Sequence, residues 1–283
     1  MAKKLIVKGE PKEVTDIRNK ILKEFEDLKF IEEGHKYFLN GQQLPSVSEV
    51  THQFKVEEDF NIIAERYAEK HGETKEYWLD KWKFKNLKAT VTGTAVHEFG
   101  ESLGWLRNGH PELITDRCKS QYINDKNWLI PTRPKEESVL KFWDDVFCDE
   151  NTYFVLAETK VYSGKNKDLT NLKQDYAGTF DLLWYYKNPN DDSKSGLIIL
   201  DYKTNGSLTN DYSRGFDKHF TVPFEELYDE ALSAYKLQLS CYQIPLEDIG
   251  LKVIGRRIIW LKDDGTYELI PIDDYTNRLR EVL

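Results

Sequence analysis

The chain has 283 residues, 40 % of them hydrophobic and 13 % aromatic, with a formal net charge of −9; that length and apolar content suit one large α/β domain, or one domain with an appendage. The acidic balance argues against binding nucleic acid through bulk charge, but leaves room for a local basic groove or for acids gathered around a metal. No apolar run approaches the roughly 18 residues of a membrane span, the start carries no signal or transit segment, and Cys118, Cys148 and Cys241, odd in number, far apart and without CxxC spacing, support neither a disulfide framework nor a four-Cys metal or Fe–S site, which leaves buried reduced thiols in a cytoplasmic protein as the expectation.

In chain order, 11–30 has Ile17, Ile21, Leu22, Phe25 and Leu28 at helical spacing. Residues 35–45 read as a hairpin turning on Asn40-Gly41. Ser46 and Glu49 then give the capping-box spacing of a helix start. Residues 1–56 are therefore expected to form a helix–hairpin–helix elaboration on a main unit at 57–283. From Phe60 to Leu106 the pattern is helical, with a helix opening at Gly93-Thr94 and Thr94 as a candidate cap. Within this stretch Lys81, Lys83 and Lys85 alternate with Trp82 and Phe84. That composition suits phosphate contact and base stacking, though taken in isolation such a segment reads as a solvated amphipathic face with its tryptophan buried. An amphipathic helix follows at 136–147, then strand-like runs at 153–163, 176–187 and 196–204. A long helix over 224–247, ended by Pro245, and a hairpin over Asp264-Gly265 complete the pattern. Helices, three strands, a helix and two strands imply an α/β chain with one mixed central sheet flanked by helices.

The run Leu197–Leu200 is apolar on both faces and ends in Asp201-Tyr202-Lys203. On a strand, Asp201 and Lys203 share a face. They form either a strand-end salt bridge or a metal carboxylate beside a lysine that steadies a charged intermediate. Asp181 lies 20 residues earlier on an adjacent strand, three after Gly178. Two converging carboxylates repel unless a cation lies between them, and oxygen-rich sites of this kind suit Mg²⁺ or Mn²⁺. Glu158 on the preceding strand is a third acid, readable also as an edge residue paired with Lys160. His97 and Glu101, and likewise Gln238 and Tyr242, are i and i+4 pairs on single helix faces.

Taken in order, Gly93-x-x-x-His97-x-x-x-Glu101, Gly178-x-x-Asp181, Asp201-x-Lys203 and Gln238-x-x-x-Tyr242 resemble the RecB-like branch of the PD-(D/E)xK nuclease superfamily, over about residues 90–270; 41–50 resembles the segment preceding the core in single-strand exonucleases of that branch. Phe180 stands where the family nominally has proline, the Fe–S cysteines of some relatives are absent, and there is no P-loop for a motor. The resemblance implies a restriction-endonuclease-like core and a metal-dependent deoxyribonuclease, an exonuclease on DNA ends or single strands rather than a sequence-specific endonuclease, serving recombination, repair or replication, with protein partners in such a complex. It implies Mg²⁺ or Mn²⁺ at Asp181, Asp201, His97 and the Tyr202 carbonyl, with Glu158 as a further ligand or water-positioning group. By the same resemblance, Lys203 stabilises the transition state and Glu101 orients His97. Gln238 and Tyr242, with Lys81, Trp82, Lys83 and Lys85, hold the DNA. The alternative is a nuclease-fold protein that binds DNA or a partner without cleaving.

Overall fold

A computed structural model describes residues 9–114, 131–146, 149–165 and 174–283. Its centre is a five-stranded sheet of β4 (Thr152–Tyr162), β5 (Ala177–Tyr186), β6 (Gly196–Lys203), β7 (Val253–Leu261) and β8 (Tyr267–Pro271), in that spatial order. β6 and β7 are parallel and the other neighbours antiparallel. The mixed sheet follows from chain connectivity. Each of β4–β5, β5–β6 and β7–β8 follows its neighbour directly in the chain and pairs antiparallel with it, whereas a helical crossover carries the chain from β6 to its parallel neighbour β7. The chain is thus α/β, with a mixed sheet flanked by helices.

Eight α-helices are described: α1 (Lys12–Glu24), α2 (Val47–His52), α3 (Phe60–His71), α4 (Lys75–Arg107), α5 (Pro134–Val146), α6 (Asp211–Gly215), α7 (Ala231–Asp248) and α8 (Thr276–Val282). The crossover helix α7 packs beneath β4 to β7, and α4 and α5 lie against each other and the sheet. The alternation along β6 selects the faces. Asp201 and Lys203 look toward α7, whereas the Tyr202 side chain between them turns to the other face; its ring meets α4 at Gly100, and its hydroxyl accepts from Trp143 Nε1 on α5 at 2.8 Å. A Cβ at Gly100 would stand 2.6 Å from the Tyr202 ring and one at Gly104 3.0 Å from Trp143. These two glycines let the helix approach.

The N-terminal segment belongs to the same core. It is a helix, a three-stranded sheet of β1 (Lys29–Ile31), β2 (Lys36–Leu39) and β3 (Gln42–Leu44), and the short α2. Val14, Ile21, Tyr37, Val47 and Val50 join the continuous buried cluster of the sheet and its helices. Arg18 of α1 donates to the carbonyls of Val155 (2.7 Å) and Phe154 (3.4 Å), where β4 bulges against β5. A bulge leaves backbone groups unpaired, and this guanidinium satisfies them. The Ser46–Glu49 capping box forms, and Asn40 and Gly41 both take positive φ, 51° and 82°, as their tight turn requires.

Four local expectations are corrected. The first helix stops at Glu24, and 29–31, expected within it, instead pairs with β2 as an antiparallel strand. Helix α4 runs unbroken through Gly93, so Thr94 is mid-helix and the cap is Thr74, whose hydroxyl accepts from Tyr77 N at 3.1 Å. Helix α7 begins at Ala231 rather than near 224, and it continues past Pro245. Proline removes the donor that would have reached the Cys241 carbonyl; the Tyr176 hydroxyl donates to that carbonyl instead, at 2.8 Å. The terminal α8 and strand β1 had no clear pattern of their own. Cys241 is buried, while Cys118 and Cys148 lie outside the described residues. No helix among the described residues is long and apolar enough to cross a membrane.

Candidate metal centre and active site

Strand register sets out the acids. Ala157 pairs with Leu182 and Thr159 with Phe180, which places Glu158 opposite Asp181. Leu182 pairs with Leu200, so the next step of the β5–β6 register places Asp181 opposite Asp201. Three carboxylates thus form one row across three strands. The ladder yields at this row. Glu158 adopts φ 44°, a left-handed conformation that a non-glycine residue takes only under constraint from its surroundings. Asp181 Oδ2 accepts the Tyr202 N–H at 2.7 Å, so the backbone donor here serves a side chain.

Helix α4 delivers His97 to the row. Its Nδ1 lies 3.4 Å from Asp181 Oδ1 and 3.5 Å from Glu158 Oε1. One ligand atom from each of His97, Glu158 and Asp181 falls within 4.8 Å of the others. An imidazole and two carboxylates meeting this closely are a donor set suited to Mn²⁺ or Mg²⁺. Asp201 stands beside this group, ion-paired with Lys203. Lys203 Nζ also donates to Gln238 Oε1 at 3.2 Å and sits 4.2 Å from the centroid of the Tyr235 ring. Gln238 Nε2 in turn donates to the Tyr242 hydroxyl at 3.1 Å. Gly178 lets this helix come close. A Cβ there would lie 2.7 Å from Tyr242 Cε1 and 2.8 Å from Val47 Cγ2.

The electrostatics follow from crowding charge in a buried space. Burial, and then the charge of Asp181, push the Asp201 carboxyl up to about 7. Burial and the Glu158 charge likewise push Glu101 up to about 7. Burial also raises Glu158. Asp181 is held low: burial opposes its charge, but His97, Lys203 and the Tyr202 N–H outweigh that cost. Burial works against the Lys203 cation, and Asp201, Tyr235 and Asp181 more than offset it, so the ammonium stays charged. Burial likewise opposes the charge of His97, and Asp181 and Glu158 together hold its pKa well above the ordinary range.

The structure therefore brings together His97, Glu158, Asp181, Asp201, Lys203, Gln238 and Tyr242. Glu158, read from sequence as an outer candidate, joins His97 and Asp181 in the closest group. The Tyr202 backbone meets the site through its N–H to Asp181. The interactions of Glu101 run to Trp105 and to the charges of Glu158 and Glu98. The basic segment divides. Trp82 is packed in the α3–α4 hairpin among Phe60, Tyr67 and Trp78, with ring centroids 6.4, 5.5 and 6.1 Å away. Lys81 lies over Trp78 at 4.4 Å. Lys83 and Lys85 are exposed, as is Phe84. Two contributors were missed from sequence. Tyr37 of β2, whose hydroxyl is 3.0 Å from Thr179 Oγ1, braces β5 two residues from Asp181. Tyr235 flanks Lys203. Both are single tyrosines in apolar patterns, and only the packing distinguishes them from core residues. No protein-family model matches the chain, and no curated protein is significantly similar to it.

Proposed function

We propose that the protein is a metal-dependent deoxyribonuclease of the RecB-like PD-(D/E)xK type, acting on DNA ends or single strands. The observation that carries this reading is the meeting of His97, Glu158 and Asp181 beside a half-buried, charged Lys203. The mixed sheet with helices on both faces supports a restriction-endonuclease-like core. His97, Glu158 and Asp181, with Asp201 adjacent, would hold Mg²⁺ or Mn²⁺, the cytoplasmic divalent cations that suit these donors. Such a cation, when bound, neutralises a phosphate oxygen and acidifies a water. Lys203, steadied by Gln238, presents a fixed positive charge to the extra negative charge that develops on phosphorus in the transition state. Gln238 and Tyr242 hold that lysine in place. Lys83 and Lys85 offer cations to the DNA backbone.

End-labelled single-stranded DNA incubated with Mn²⁺ tests the reading. Wild type is expected to shorten the strand. Lys203→Ala should slow cleavage by about 10²–10³-fold, the cost of removing one preorganised donor, and Asp181→Asn should abolish it. A wild type that cuts nothing, or variants that cut as well as wild type, overturn the reading. Metal-independent DNA binding that Asp181→Asn leaves intact would instead favour a non-cleaving binding factor.

A further inference from the structure

Beyond Lys203 the chain enters a segment that no motif singled out. It leaves β6 beside α4, where a Cβ on Gly93 would come within 3.9 Å of Thr204 Oγ1, and runs through α6 to the start of α7. The segment is firmly framed. Asn210 Oδ1 accepts from Tyr212 N (3.1 Å) and Ser213 N (3.4 Å). Arg214 makes two bonds of 2.9 Å to Glu230, itself buried. Lys218 N donates to the Ser213 carbonyl at 2.8 Å, and Thr221 N to the Phe54 carbonyl at 2.7 Å. The Lys218 side chain pairs with Glu58, just ahead of α3, tying the segment to the base of the α3–α4 hairpin.

Within this frame two aromatic rings are turned outward. Tyr212 is 54 % and Phe216 68 % exposed, with ring centroids 4.6 Å apart, and the Lys218 ammonium lies 4.7 Å over Tyr212. Phe60 and Val222, adjoining the Glu58–Lys218 and Phe54–Thr221 links, are also mostly exposed. A pinned backbone that holds large rings in water is not accounted for by folding, because burying them would stabilise the chain. Phe60 in turn meets Trp82 of α4, with ring centroids 6.4 Å apart, and around that tryptophan α4 carries exposed Lys83, Lys85 and Lys88, with a single acid, Asp80, among residues 80–91. In a chain of net charge −9, a basic run linked to an aromatic pair through Lys218, Glu58 and the Phe60–Trp82 contact matches a polyanion that also presents flat rings.

We propose that Tyr212 and Phe216 form a shelf on which unpaired nucleotide bases stack, so that the substrate is a single strand whose bases are read by stacking and whose phosphates face α4. Duplex DNA keeps its bases inside its own stack and cannot use such a shelf; every unpaired base can, whatever its identity. The inference rests on the reading of the neighbouring site as a phosphodiester hydrolase, and its test is one of binding without cleavage.

Affinities of the full chain for a short oligothymidylate and for an abasic deoxyribose-phosphate oligomer of equal length, measured by fluorescence anisotropy in EDTA, separate base stacking from phosphate contact. Wild type is expected to favour the base-bearing strand by about tenfold or more. Tyr212→Ala/Phe216→Ala should bring that ratio to about one, with the abasic affinity unchanged, whereas Tyr212→Phe/Phe216→Tyr should keep it. Far-UV circular dichroism checks folding, and Phe216→Leu, which keeps apolar bulk at an exposed position, carries the test if the double substitution unfolds. A wild-type ratio near one, a ratio that survives loss of both rings, or a concentration-dependent dimer dissolved by the double substitution overturns the shelf; the last outcome would make the patch a self-association face. Absence of Mn²⁺-dependent cleavage leaves this ratio measurable, so the two readings fail separately.

Discussion

Asp201 and Glu101 are the residues at which burial and charge meet most directly. Both carboxyls are pushed up to about 7, by burial first and then by a neighbouring acid, Asp181 in one case and Glu158 in the other. Between the ordinary carboxylate range and pH 7 the folded chain therefore binds protons there that the unfolded chain has released. These groups add stability at low pH and lose it as pH rises through about 7. If the row holds a divalent cation, as proposed, that cation offsets the penalty by supplying the positive charge that the acids lack. The Mn²⁺-induced rise in Tm should accordingly be larger at pH 8 than at pH 6, because below about 7 the cation must displace protons. Differential scanning fluorimetry across that range checks it, and a Tm shift independent of pH would count against cation binding at this row. Lys203 has a dual reading here as well. Lys203 is ion-paired with Asp201, and that contact keeps the ammonium charged where burial works against it.

Helix α7 shows how one element serves both packing and the site. It carries Gln238 and Tyr242 toward Lys203 and β5, and it does so with a proline inside. The unpaired Cys241 carbonyl is satisfied by Tyr176, at the start of β5. Tyr176→Phe should therefore destabilise the protein by about 1–3 kcal/mol, the cost of an unsatisfied buried polar group. In a Pro245→Ala background, residue 245 regains an N–H that can reach the same carbonyl, and the cost should shrink. A double-mutant cycle in urea measures the difference; equal costs in both backgrounds would show that the hydroxyl does not substitute for the missing helix bond. Helix α4 divides in the opposite way. None of its residues before Ala95 is buried, whereas Val96, Phe99, Leu103 and Trp105 are. The half that holds His97 is anchored in the core and the half that carries Lys83 and Lys85 rides free of it.

At the scale of the whole molecule, the N-terminal segment is structural rather than appended. Arg18 satisfies the β4 bulge, Ala177 N donates to the Pro45 carbonyl at 2.9 Å, and Tyr37 and Val47 reach the strand that bears Asp181. Deleting residues 1–56 would expose the apolar faces of β4 and α7 and leave these backbone groups unpaired. The truncated chain is expected to lose cooperative thermal unfolding and near-UV circular dichroism, rather than to persist as a smaller folded domain. Retention of a sharp transition would show that the segment is an independent elaboration after all.

Local physics made much of this legible from the residues alone. Apolar runs bounded by turn residues marked β4 to β8, because strand burial demands them. Asn40-Gly41 marked a turn that needs positive φ twice, and Ser46 with Glu49 marked a helix start. The spacing of Asp201 and Lys203 determined that they share a face. Other features depend on which strands pair and in what register, which no single segment encodes. The row Glu158–Asp181–Asp201, the left-handed backbone at Glu158, and the arrival of His97 between two carboxylates are of that kind. So is the helical role of Pro245, where a hydroxyl 69 residues away in sequence replaces a local bond. Tertiary structure decided these because a buried carboxylate or carbonyl has no stable state without a partner, and the partners here come from distant parts of the chain.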